Sequence, residues 1–447
     1  MIRFIYNLLF PFALLAFLPG YVRKMRRRGN YRPNFEQRFA VYGPELRARF
    51  AAQRHTWIHA VSVGEVAIAL KLADKLRDLD AEFRCVLTTT TTTGFATAQT
   101  NAPEWMTVMY NPIDYWLIVR RAFEAIRPQR IVLVEAEVWP NLAAEARARG
   151  VSLSLVNARL SDRSERRFRR FARFVRPTFR CLDLVCVQEA RDVARWQALG
   201  VRREAIRHTG SIKYDPTETQ MASEIATEVL DAIGLSHSQP ILLAGSTHAG
   251  EEEIVARALL RMREKLPHVF AIVAPRHVER ADEILGVLHS LGLRVTRRTA
   301  VTADPTDILL LDTTGELRHW YAAATVVFVG KSLTTNGGQN PVEAILAGKP
   351  VIFGPHMENF ATLARALVER EAAIQITRAD ELAPACLELF RDPHRREAFV
   401  RRAREVLAPH HGATERTAEL LLGARFRAAS AKSLATHKGT SDIARAS

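Results

Sequence analysis

Four side chains in the first half of the chain have the types and positions of a proton-transfer site. Glu65 follows Gly64 at the turn after the apolar run Trp57–Val61, so its carboxylate can stand beyond a strand end and take a proton from a hydroxyl. The same spacing suits a helix first-turn residue answering the macrodipole, and the sequence leaves both readings open. Glu135 and Glu137 follow Arg130–Val134 at alternate positions and share a face if the strand continues through them. Two such carboxylates raise one another's pKa, or orient a base or a cation; the other reading makes one of them, Glu137, a solvated loop residue. Lys213, within Thr209–Pro216, can stabilise developing negative charge or simply be a surface lysine.

A second set suits a nucleotide. In Val326–His356 an apolar strand, Val326–Val329, gives way to a polar loop with Gly337 and Gly338. Asn340 is placed to N-cap a helix with Pro341 at its first position, Val342 and Glu343 in the first turn and Gly348 as the C′ residue. Val351–Phe353 is the next strand. Backbone N–H groups at such a helix start are available to a phosphate, and the Glu343 carboxylate can accept hydrogen bonds from ribose hydroxyls. That combination points to a nucleotide sugar, although a tight turn would use the same glycine pair. Pro275-Arg276-His277 offers a guanidinium fork to a phosphate, or a surface arginine pair with Arg280. Ser246-Thr247-His248 and Thr314-Gly315-Glu316 end two other strands. His248 reads as a ligand, a proton carrier or a plain loop histidine. With no HxH or HExxH spacing, no metal role is expected.

The elements that must position these residues alternate regularly. Apolar runs at Trp57–Val61, Arg84–Thr88, Arg130–Val134, Val151–Val156 and Leu184–Val187 predict one doubly wound α/β domain, with a helix over Val66–Leu76. Runs at Ile241–Ala244, Val269–Val273, Asp307–Leu311, Val326–Val329 and Val351–Phe353 predict a second. In such sheets ligands sit at the carboxyl ends of the strands. Two of these Rossmann-like domains facing a cleft make the GT-B architecture of many glycosyltransferases. The expected division is an anchor with a basic flank over 1–28, a first domain over 29–209, a junction over 210–220, a second domain over 221–427 and a disordered tail over 428–447.

Composition adds partners. The 447 residues are 48% hydrophobic and 25% charged, with a net charge of +15. Anionic membrane, anionic substrate and nucleic acid all fit that excess. Much of it is arginine at 23–28 and 159–180. The latter stretch interleaves arginine with Phe168, Phe171, Phe174 and Phe179, the pattern of a membrane-surface helix, of a phosphate-binding face, or of a helix packed through its phenylalanines. No nucleic-acid motif accompanies it. Phe4–Leu18 is apolar and followed by cations, which predicts an N-terminal membrane anchor, either a tight single span or an interfacial helix; a buried helix is the alternative. The four cysteines form no CxxC and read as buried thiols in a reducing compartment.

Several segments coincide with one family. His59–Glu65, Glu135–Asn141, Asn157–Ser161, Gly210–Asp215, Ser246–Glu252, Pro275–His277, Thr314–Glu316 and Gly337–Glu343 occur in an order and spacing that resembles the 3-deoxy-D-manno-octulosonic acid (Kdo) transferases of Gram-negative lipopolysaccharide synthesis. The resemblance runs from about Arg3 to about Leu422. It implies an inverting GT-B enzyme moving Kdo from CMP-Kdo to a bisphosphorylated tetraacyl-disaccharide lipid A precursor (lipid IVA) at the cytoplasmic face of the inner membrane. It further implies that Glu65 is the proton acceptor and that Glu135 and Lys213 assist the transition state. CMP would be held by Pro275, Arg276, Thr314, Gly315, Glu316, Asn340, Pro341, Val342 and Glu343. No metal, further cofactor or nucleic acid is implied. The family often has Gly where Lys331 stands and His where Gln339 stands, which puts CMP contacts around that loop in question. Other readings are a different GT-B nucleotide-sugar enzyme such as a UDP-sugar epimerase, a non-catalytic nucleotide-sugar-binding protein, and a basic RNA-binding protein.

Overall fold

Strands form where the chain is apolar and β-branched without alternation, the pattern of a parallel sheet covered on both faces. The computed structural model describes residues 2–28, 33–215, 224–236 and 238–423. Its strands assemble into two seven-stranded sheets, one in each of two units, Met1–Asp215 with His410–Ser447, and Pro216–Pro409.

The first sheet comprises β1 (Thr56–His59), β2 (Cys85–Thr89), β3 (Met106–Tyr110), β4 (Arg130–Val134), β5 (Ser152–Ala158), β6 (Leu184–Val187) and β7 (Ile206–His208). Their order is β3-β2-β1-β4-β5-β6-β7, all parallel. The chain leaves β1 toward one edge and β4 toward the other, so a topological switch point lies between these two strands. Trp57 packs edge-on to Phe123 at 5.7 Å beneath the sheet, and Phe179 to Trp196 at 5.6 Å.

The second sheet comprises β8 (Ile241–Thr247), β9 (Phe270–Pro275), β10 (Val295–Arg297), β11 (Ile308–Leu310), β12 (Val326–Val329), β13 (Val351–Phe353) and β14 (Ile374–Gln375). Its order, β10-β11-β9-β8-β12-β13-β14, also winds both ways from a switch point, here between β8 and β12, but with β11 inserted between β9 and the edge strand β10. Both units are thus doubly wound, as the alternation of the sequence implies.

Several expectations need correction. β1 ends at His59, and the helix predicted from Val66 begins at Val63 and runs to Leu79. β4 stops at Val134, and Glu135 turns left-handed at φ 65°, so the strand alternation that would align Glu135 with Glu137 does not extend to them. Arg159–Arg180 is not one helix but two, Asp162–Arg170 and Ala172–Phe179, broken at Phe171. The phenylalanines divide accordingly. Phe168 and Phe179 meet at 5.4 Å against the core, whereas Phe171 and Phe174 are exposed.

The second unit ends before residue 427. From His410 the chain returns to the first unit, where Ala418 and Leu421 are buried with Ile58, Leu72 and Val132. Arg130 donates to the Leu421 carbonyl. One apolar stripe at helical spacing carries this return. Residues 216–220 of the expected junction and the expected tail over 428–447 lie outside the described residues. At the other end, Ile2–Arg28 is a single helix containing both the apolar run and its basic flank. No helix among the described residues is long and apolar enough to cross a membrane.

Candidate functional site

Glu65 projects from the turn after β1, beside the switch point of the first sheet. Ser62 caps the helix Val63–Leu79, its hydroxyl oxygen accepting the Glu65 N–H at 3.4 Å. The Ser62 hydroxyl donates to Glu65 Oε1 at 2.9 Å, and the Val61 N–H donates to Glu65 Oε2 at 2.9 Å. Glu65 is thus a helix first-turn residue whose carboxylate reaches back to the N–H before the N-cap, and that carboxyl group lies in the field of other acids. Burial pushes its pKa up to about 7, and the charges of Glu135 and Glu137 add to the rise against the Val61 and Ser62 hydrogen bonds. A carboxyl group poised there accepts a proton near neutral pH.

The threonine loop after β2 props this turn. Thr89 Oγ1 and Thr91 Oγ1 donate to the Val61 carbonyl at 3.3 and 3.0 Å, and Thr91 caps the next helix through the Gly94 N–H at 3.0 Å. A Cβ on Gly94 would lie 2.6 Å from Thr89 Oγ1, so only glycine fits.

Glu135 leaves the end of β4, the neighbour of β1. Burial raises its pKa, and the positive charges of Arg159 and Lys213 oppose that rise. Burial lowers the pKa of Lys213, Glu135 opposes the change, and Arg159 adds to it. The three side chains thus share one field. Glu137, which one of the two readings put in solvent, is half-buried and its pKa is raised by burial.

Lys213 rides on a turn anchored from two sides. Asn157 at the end of β5, left-handed at φ 51°, accepts the Ile212 N–H at 3.0 Å and the Ser211 hydroxyl at 3.3 Å. His410, from the returning segment, accepts the Ser211 N–H on Nδ1 at 3.1 Å. Burial pushes the pKa of His410 down to about 4, so the imidazole is neutral and its lone pair available. Asp215 then accepts the Gly412 and Thr414 N–H groups, each at 2.7 Å. Neither His410 nor its role was legible beforehand, because it lies nearly 200 residues away along the chain.

In the second unit the loops after β8 and β12 meet at the second switch point, and the residue joining them was also missed. Glu251, with no solvent exposure, accepts the N–H groups of His248 at 2.9 Å, Lys331 at 2.7 Å, Ser332 at 2.9 Å and Leu333 at 3.0 Å. Lys331 is left-handed at φ 57°, a conformation that favours glycine. A Cβ on Gly330 would meet the Ser246 carbonyl oxygen at 2.5 Å, and one on Gly354 would collide with the Ser332 carbonyl oxygen. The strand–glycine-loop–strand unit is therefore tightly closed. Its helix, Val342–Leu346, starts one residue later than expected. Pro341 is the N-cap residue, and Asn340 Oδ1 accepts the Val342 N–H at 3.1 Å. Gly348 at φ 74° ends it, with its own N–H on Ile345 O and that of Lys349 on Ala344 O, both at 3.0 Å, the Schellman arrangement. Glu343 is exposed.

Around the same sheet edge, Pro275 ends β9 and the Arg276 side chain is exposed. Arg280 does not join Arg276 as a surface pair; it binds buried Glu252 at 3.0 Å and Glu283 at 3.0 Å. Thr314 and Gly315 are exposed after β11, with Gly315 at φ 87°, and Glu316 pairs with Arg298 at 3.2 Å. The His248 ring lies 5.6 Å from that of His277. Among the described residues no group of three or more His, Cys, Asp or Glu is placed to hold a metal.

Comparison with known proteins shows the family and the fold. The family model described as 3-deoxy-D-manno-octulosonic-acid transferase (kdotransferase) matches residues 33–216. The 3-deoxy-D-manno-octulosonic acid transferase of Bordetella pertussis is 35% identical over 411 residues, covering 89% of this chain and 94% of that one. Its Haemophilus influenzae counterpart is 30% identical over 397 residues, covering 88% and 91%. Among solved structures, the UDP-GlcNAc 2-epimerase of Neisseria meningitidis bound to UDP-GlcNAc superposes with a TM-score of 0.56 at 11% identity, over 83% of this chain and 100% of that one. That likeness is one of fold, the GT-B class with two Rossmann-like units.

Proposed function

This chain belongs to the 3-deoxy-D-manno-octulosonic acid (Kdo) transferase family and is a glycosyltransferase, and from that premise we propose that it moves Kdo from CMP-Kdo to the bisphosphorylated tetraacyl-disaccharide precursor lipid IVA with inversion, releasing CMP. Glu65 takes the proton of the acceptor hydroxyl as its oxygen attacks and the bond from Kdo to the CMP phosphate breaks. The observation that carries this reading is the Glu65 carboxyl group, held by Val61 N and Ser62 Oγ and titrating near 7. A base with that pKa is largely ionised at cytoplasmic pH and still able to hold a proton. Glu135 and Lys213, each in the other's field, assist by stabilising charge as it develops.

The nucleotide half of the donor falls to Pro275, Arg276, Thr314, Gly315, Glu316, Asn340, Pro341, Val342 and Glu343. The exposed Arg276 guanidinium and Glu343 carboxylate suit phosphate and ribose respectively. No metal or further cofactor enters the reaction in this account. In this reading the acceptor is an anionic lipid, and the apolar N-terminal helix with its basic flank supports a seat on the inner membrane with both units on the cytoplasmic side.

The test is the product mass after the purified chain meets CMP-Kdo and lipid IVA. A gain of one or more Kdo units is expected. An unchanged acceptor mass, with folded protein and intact CMP-Kdo, would contradict the substrate assignment.

A further inference from the structure

The N-terminal helix is tied to the first unit by polar contacts, while much of its apolar surface is left bare. The Asn7 and Asn141 amides bond reciprocally, both at 2.9 Å, and Asn7 Oδ1 also accepts the Trp116 N–H at 3.3 Å. Asp114 holds Asn141 in turn, accepting its backbone N–H at 3.0 Å and that of Leu142 at 2.9 Å. Phe10 leans on Tyr115 at 5.9 Å. On the helix, Phe4, Leu8, Phe12 and Leu15 recur at the spacing of one face and are 71%, 56%, 68% and 66% exposed. Trp116 and Leu117, each 41% exposed, extend apolar surface onto the body of the unit.

Beside this face lies a cavity of about 320 Å³ lined by Arg3, Trp116, Arg120, Asn141, Glu145 and Arg149. Three arginines and the Glu145 carboxylate line it, and Glu124 beside it pairs with both Arg120 and Arg149, the latter at 3.6 Å. Two are pre-set: Arg120 is held by Glu124 at 3.0 Å and Arg149 by Glu145 at 2.7 Å. Guanidinium groups in a fixed fork match phosphate oxygens, and a half-exposed tryptophan at the rim is the side chain that settles at a lipid headgroup boundary.

We propose that this cavity binds the phosphate of an anionic phospholipid, so that the N-terminal helix lies along the bilayer surface with Phe4, Leu8, Phe12 and Leu15 in the acyl layer. The inference rests on the membrane reading given above and deepens it. A helix fixed to a folded unit through Asn7 and Asn141 can sink its outer face into the interface without leaving that unit, and sinking by roughly 5–10 Å buries such a face. The phospholipid phosphate then meets Arg3, Arg120 and Arg149 at the depth where its acyl chains meet Phe4 and Leu8.

The test is sedimentation of the full chain with vesicles of phosphatidylcholine alone, and with vesicles that also contain phosphatidylglycerol, at fixed ionic strength. Arg120→Gln with Arg149→Gln should weaken binding to the phosphatidylglycerol vesicles about fivefold per charge removed and leave binding to phosphatidylcholine unchanged. Arg170→Gln with Arg173→Gln, on the exposed basic segment, should cost less. Equal losses for the two pairs, or losses on both vesicle types, would overturn the site. Should the arginine variants misfold, the wild-type chain and Trp116→Phe on brominated phosphatidylglycerol decide. Quenching that disappears in the variant supports the site, and equal quenching contradicts it. Binding is read without turnover, so failure of the transferase reading and failure of this one are separate results.

Discussion

Ser62 and Glu65 hold each other: the serine oxygen accepts the Glu65 N–H at 3.4 Å while its hydroxyl donates to Glu65 Oε1 at 2.9 Å. The second carboxylate oxygen is taken by the Val61 N–H. A helix cap thus aims the carboxyl group proposed as the base, and two further acids, Glu135 and Glu137, help keep its proton affinity high.

Transfer should therefore follow the ionisation of Glu65. A base must be deprotonated to act, so kcat/KM is expected to rise with pH and level off above about 7. The stability effect has the opposite sense. Unfolded, the group titrates near 4.5; folded, near 7. The folded state binds more proton in that window, so this group's contribution to stability is fully present below about 4.5 and is lost as pH rises through 7. Urea unfolding of wild type and Glu65→Gln at several pH values checks the slope, which the variant should flatten. An acid limb of the rate profile unchanged in Glu65→Gln would count against the assignment.

His410 should act through Lys213. His410→Ala leaves the buried Ser211 N–H without its acceptor, at a cost of about 1–3 kcal/mol. The turn carrying Lys213 then loosens, and kcat is expected to fall roughly tenfold with the KM for donor unchanged. His410→Asn sets an amide oxygen near the Nδ1 position and should recover most of the loss. Steady-state kinetics of the two variants decide it; equal damage by Ala and Asn, or a change confined to KM, would show a merely structural role.

Much of the fold was legible because fully buried parallel strands are written as unbroken apolar runs, as in Ile131–Val134 and Val326–Val329. The strands passed over were short edge strands, β7, β10 and β14, and β3, whose Met106–Tyr110 mixes residue types. Glu65 and Glu135 were singled out from their places after strand ends, Lys213 from the Thr209–Pro216 junction, and all three by resemblance. What escaped were residues that hold the site loops of each unit. Glu251 is one of three consecutive glutamates, and nothing local separates the buried acceptor from its exposed-looking neighbours. His410 is tied to Ser211 by tertiary folding alone. The left-handed turn at Glu135 is equally invisible to an alternation rule, which assumes an extended backbone.

Glu251 should govern nucleotide binding without touching nucleotide. Glu251→Ala strands four N–H groups around the glycine loop, one buried and three part-buried, a loss of about 3 kcal/mol, so CMP affinity should drop roughly 100-fold. Glu251→Gln, which keeps one acceptor oxygen, should fall between. Calorimetric titration with CMP checks both, and wild-type affinity in Glu251→Ala would show that the loop closes without it.

The most direct measurement of the account pairs two readouts on Glu65→Gln: acceptor mass after incubation with CMP-Kdo and lipid IVA, and CMP affinity by calorimetry. The account predicts a Kdo mass gain for wild type, a transfer rate lower by roughly 10²–10⁴ in the variant, and equal CMP affinity in both. A variant that transfers at the wild-type rate, or that loses CMP binding instead, would contradict Glu65 as the base.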